Sequence, residues 1–69
     1  MKIQKLRSIR ASNKKPIRIC YARNGHRLWE GMKKDIPEEL KEYYVFTKIN
    51  NPRYTYIEIV EDKEWFEWN

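Results

Sequence analysis

Apolar and polar positions alternate along this chain in short runs, and turn-forming residues separate the runs. Ile17-Arg18-Ile19-Cys20-Tyr21 is strand-like, and Asn24-Gly25 is the preferred pair for a two-residue type I′ turn, so a hairpin is predicted over residues 17–31. With that loop Arg23 faces His26, Tyr21 faces Leu28, Ile19 faces Glu30 and Ile17 faces Met32, which makes their side the core face. The other side then carries Arg18, Cys20, Ala22, Arg27, Trp29 and Gly31, with Trp29 turned outward beside arginines.

Asp35-Ile36-Pro37-Glu38 carries the signature of a helix start, an N-cap acid with a glutamate three positions on, and predicts one or two turns to about Glu42. Residues 43–49 and 54–60 are rich in aromatic and β-branched side chains, and Asn50-Asn51-Pro52-Arg53 between them is turn chemistry. They predict a second hairpin with Tyr44, Phe46, Ile57 and Ile59 on one face and Val45, Thr47, Ile49, Tyr54 and Tyr56 on the other. Neither face is polar, so the ribbon is either covered on both sides in a bent small barrel or offers one side to a partner. Phe46, Ile57, Ile59, Ile19 and Leu28 are the expected core.

The fold class that follows is α+β or mostly β: two antiparallel hairpins with a short helix between them, as a small-barrel-like or open sheet. Residues 1–16 form a basic arm, partly mobile, with Ile3, Leu6 and Ile9 as its apolar anchors, and residues 17–61 form the domain. Residues 62–69 form an acidic tail in which Trp65, Phe66 and Trp68 alternate with acids. Those rings either fold back on a core short of apolar mass or anchor a partner.

Composition narrows the function. At 69 residues the chain has little interior in which to shield a reaction, yet 41% apolar residues with ten aromatics is too rich for a disordered segment. With 36% charged residues and no long apolar run, neither a membrane span nor a secretory signal is expected, which points to the cytoplasm. Cys20 has no second cysteine to pair with, and Cys20 with His26 supplies at most two zinc ligands, so neither disulfide, metal nor cofactor is expected. Only Gly25 and Gly31 are glycines, which excludes a phosphate-cradling glycine loop. Glu38, Glu39 and Glu42 sit on an exposed turn where solvation or the helix dipole explains them better than acid–base work, so no catalytic residue and no enzyme is expected.

The charge of +5 is unevenly spread. Residues 1–34 hold eleven Lys or Arg against Glu30 alone, a charge of +10, while residues 35–69 sum to −5. In one reading the halves neutralise each other across the fold; in the other the basic half faces a polyanion.

In size, basic start, Asn24-Gly25 hairpin and Asp35-Ile36-Pro37-Glu38-Glu39-Leu40 turn, the chain resembles the short accessory proteins of bacteriophages and mobile elements. That resemblance implies regulation, host takeover or blocking of a nucleic-acid-guided defence enzyme, and it assigns no role to any residue.

Two functions remain. In the first, the protein engages nucleic acid or a nucleoprotein through Lys14, Lys15, Arg18, Arg23 and Arg27, with Trp29 stacking on an unpaired base. In the second, it is an inhibitor or adaptor that binds a host protein through Tyr54, Tyr56, Trp65 and Trp68. A homodimer is compatible with either.

Overall fold

The computed structural model describes residues 3–61. Four strands, β1 (Ile17–Tyr21), β2 (Arg27–Gly31), β3 (Tyr44–Asn50) and β4 (Thr55–Val60), form one open mixed sheet in the order β2-β1-β4-β3. A 3₁₀ turn (Lys33–Asp35) and a four-residue helix, α1 (Glu38–Lys41), connect the hairpins, and another 3₁₀ turn (Leu6–Ser8) lies in the arm. Among the described residues no helix is long and apolar enough to cross a membrane.

Both predicted hairpins are present, and a parallel ladder joins them: Ile17 lies beside Thr55, Ile19 beside Ile57 and Tyr21 beside Ile59. Neighbours across a ladder share a face, so Ile17, Ile19, Ile57 and Ile59 line one side of the two central strands, and all four are completely buried. The arm covers that side. Leu6 and Ile9, 2% and 8% exposed, join the same cluster with Ile36, while Leu40, Tyr43 and Val45 pack around it. Each such isoleucine or leucine contributes on the order of 1.5–3 kcal/mol by leaving water. Backbone bonds hold the arm along the free edge of β3, from Val45 N–H to Gln4 O and from Leu6 N–H to Tyr43 O, each 2.8 Å. Glu42 accepts from Arg7 and, at 3.1 Å, from Lys5 Nζ; the Arg7 bond above all holds the Glu42 carboxyl below the usual carboxylate range.

The first turn differs from the type I′ expectation. Tyr21 and His26 close a four-residue loop, with Tyr21 N–H donating to His26 O at 2.8 Å and Gly25 N–H to Tyr21 O at 2.7 Å. A type I′ turn needs positive φ at both central residues, and here only Gly25 has it, at 75°. Asn24 contributes instead through its side chain, which accepts from His26 N–H at 2.9 Å.

A bulge at Leu28 then resets the register. Cys20 lies opposite Arg27 and Ile19 opposite Trp29, leaving Leu28 as the extra residue. Trp29 therefore packs on the core side rather than outward, and Leu28, an expected core residue, is 46% exposed. A second bulge at Phe46 has the same effect on β3: Val45 lies opposite Ile59 on the core side and Tyr44 opposite Val60 on the other, the reverse of the predicted faces. Phe46 itself is only half-buried. The close approach of Trp29 explains Gly31, because a Cβ there would meet ring atoms of Trp29 at 2.7 and 2.9 Å.

Asp35 is not the helix N-cap. A residue before proline is driven to extended backbone, and Ile36, at φ −59° and ψ 127°, obeys, so α1 starts only after Pro37. Ile36 is thereby turned into the core.

Replacing Ile57 with alanine is expected to lower the unfolding free energy by about 2–5 kcal/mol, whereas Leu28→Ala should change it by about 0.5 kcal/mol or less. Chemical denaturation measures both, and the reverse order would put Leu28 inside.

Candidate functional site

The arm and helical segment cover one face of the sheet; the other displays the polar and aromatic residues of the central strands. Across the four strands one row reads Glu30, Arg18, Tyr56, Ile49 and the next reads Arg27, Cys20, Glu58, Thr47. Glu30 is the hub of the first. Its Oε1 accepts from Arg18 Nε at 3.2 Å and from Arg27 Nη1 at 2.8 Å. The Arg18 guanidinium also lies 4.4 Å from the centroid of the Tyr54 ring, a cation–π contact that fixes its plane. The Leu28 bulge is what keeps Arg27 on this face while sending Trp29 through the sheet.

Farther along, the Tyr56 hydroxyl donates to Glu58 Oε2 at 2.7 Å. That bond, then the burial of the ring and the nearby Cys20 thiol, holds the Tyr56 phenol well above its ordinary ionisation. Cys20 itself is buried. At the end of the sheet Glu61 accepts from the Tyr21 hydroxyl and, at 2.7 Å, from Arg23 Nε. The Tyr21 bond lowers the Glu61 carboxyl and raises the Tyr21 phenol.

The predicted site residues thus divide. Arg18, Arg27, Tyr54 and Tyr56 come together on the face opposite the arm, and Trp29 does not join them. Arg23 stands apart with Glu61, and Lys15 donates to Asn51 O at 2.6 Å. Lys14 is exposed with no acid in reach among the described residues. Trp65 and Trp68 lie outside the described residues.

Charge pairing singles out cations that the sequence alone did not. Lys5 and Arg7 meet Glu42, Arg23 meets Glu61, and Arg18 and Arg27 meet Glu30, so about half of the first half's positive charge is compensated. Arg10, Lys33 and Lys34, like Lys14, meet no acid among the described residues. Of these, Lys34 lines one shallow groove with Asn13 and Met32, and Lys33 lines another with Arg7 and Lys41, floored by Leu6, Ile9 and Ile36. The only advance signal was the Lys33-Lys34 pair itself.

Among the described residues no group of three His, Cys, Asp or Glu side chains is placed to hold a metal ion. Removing the Glu58 charge should release Tyr56: in an alkaline titration followed by phenolate absorbance, Glu58→Gln is expected to ionise one tyrosine at lower pH than the wild type. An unchanged curve would mean that Glu58 does not hold the phenol.

No family model, curated protein or solved structure matches the chain, so the chemistry of these residues rests on their geometry alone.

Proposed function

We propose that the protein is a small non-catalytic binder of nucleic acid, or of a nucleoprotein, which it contacts through the basic residues of its first half. The observation that carries this reading is that Arg10, Lys14, Lys33 and Lys34 meet no acid among the described residues, while Lys33 and Lys34 each line a groove shared with residues of the arm. A salt bridge between exposed groups contributes little to stability, so unpaired surface lysines are not needed to hold the fold. Cations left uncompensated attract phosphate over distances of about a Debye length, on the order of 8–10 Å.

The runner-up is an inhibitor or adaptor that binds a host protein. It is favoured by the sheet face opposite the arm, where Ile49 is 49% exposed next to Tyr56. The two differ in their salt dependence, because counterion release governs phosphate binding and not apolar contact.

Anisotropy titrations of a labelled oligonucleotide between about 50 and 200 mM salt test the proposal. Affinity should fall steeply with salt, and replacing Lys33 and Lys34 with glutamine should make the log–log slope shallower by about 0.7–0.9 for each phosphate no longer neutralised. A wild-type slope near zero, or a slope that the double replacement leaves unchanged, would overturn it.

A further inference from the structure

The sheet face opposite the arm holds a constellation that general attraction to phosphate does not require. We propose that this face is a site for an unpaired nucleic-acid strand, with Arg18 and Arg27 taking a phosphodiester and Tyr56 and Ile49 supporting the adjoining base. The inference rests on the nucleic-acid reading above and adds to it which form of nucleic acid the face selects.

Arg18 is the central residue. Its ring contact with Tyr54 and its Nε bond to Glu30 Oε1 fix both the plane and the direction of the guanidinium. Nε is the nitrogen that is spent, so the terminal pair remains for a ligand, and the side chain is 36% exposed. Two terminal N–H groups in one plane match two oxygens of a phosphate, which a lysine ammonium cannot do. Arg27, on the next strand and 59% exposed, is drawn to the same carboxylate oxygen, which sets two guanidinium groups side by side. One carboxylate between two arginines leaves the group net positive, as an oxyanion site requires.

The other half of the row is suited to a base. Arg18 is followed across the strands by Tyr56 and then Ile49, a half-buried ring and an exposed aliphatic side chain. Bases stack on aromatic and guanidinium planes with little regard to sequence. The row spans about 14 Å at the usual strand spacing. Glu58 stands beyond the arginines on the base side and is engaged by the Tyr56 hydroxyl, so phosphate is directed to the β1–β2 side and away from β3. A duplex keeps its bases stacked inside and offers this face only its backbone. Selection for an unpaired strand follows from that difference.

The test compares a labelled unstructured strand of about twelve nucleotides with the duplex of the same sequence, a length that suits a single-strand site. The full-length protein is used as wild type, as Arg18→Lys, and as Tyr54→Leu. Arg18→Lys keeps the charge and removes the fork; Tyr54→Leu removes the ring under the guanidinium and no charge. Each is expected to weaken single-strand binding about tenfold while duplex affinity stays within about twofold, with melting midpoints that report intact folding. Should Tyr54→Leu fail to fold, Arg18→Lys decides alone. Equal losses for strand and duplex, or strand affinity unchanged in the folded variants, would overturn the inference and leave the nucleic-acid reading standing. Wild-type protein that binds neither form would overturn both. A glutamate-rich peptide that displaces the strand at equal concentration would also overturn the inference, by making the arginine pair a receptor for acidic protein.

Discussion

The parallel ladder between β1 and β4 joins two hairpins that could not stand alone. Each hairpin has one apolar side, and a two-stranded ribbon is at best marginally stable in water. Side by side they bring Ile17, Ile19, Ile57 and Ile59 into one patch, broad enough for Leu6, Ile9 and Ile36 to pack on. Without that ladder the arm has nothing to cover and the connecting segment nothing to bury. The same ladder sets Arg18 beside Tyr56 and Cys20 beside Glu58, so the opposite face is composed by the contact that builds the core.

How far the sequence discloses this depends on the range of each interaction. The hairpins were legible because their signals are local: β-branched runs, Asn24-Gly25, and the Asn51-Pro52 turn. The parallel pairing was not, since nothing in Ile17–Tyr21 or Thr55–Val60 alone specifies the other as its neighbour. Both bulges were hidden as well. Leu28 and Phe46 are ordinary strand formers, and they are extruded because the surrounding residues pack better one position out of phase. The helix start was misplaced at Asp35 by its capping pattern, although the Ile36-Pro37 pair already stated that the helix could not begin there. Of the candidate site, Arg18 and Arg27 were readable as one face, while the exchange of Trp29 for Tyr54 and Tyr56 required the bulge and the parallel register together.

The charge asymmetry proves to be two phenomena. Part of it is internal neutralisation, through the contacts of Lys5 and Arg7 with Glu42 and of Arg23 with Glu61, which fasten the arm and the end of the sheet across the fold. Exposed pairs of this kind contribute little energy, and their value is in orienting chain segments that apolar packing holds. Arg10, Lys14, Lys33 and Lys34, by contrast, meet no acid among the described residues.

The late position of β4 in the chain also governs when the protein can form as it is made. A domain generally folds as a unit, while its segments emerge one after another during synthesis. The first hairpin emerges well before β4, and until that strand arrives one edge of β1 has no partner and Ile17 and Ile19 face water. That unpaired apolar edge is an invitation to aggregation or to chaperone capture until Thr55–Val60 has been made. Folding is therefore a single late event that waits for β4, and a chain cut before this strand would lose the whole domain rather than one edge of it.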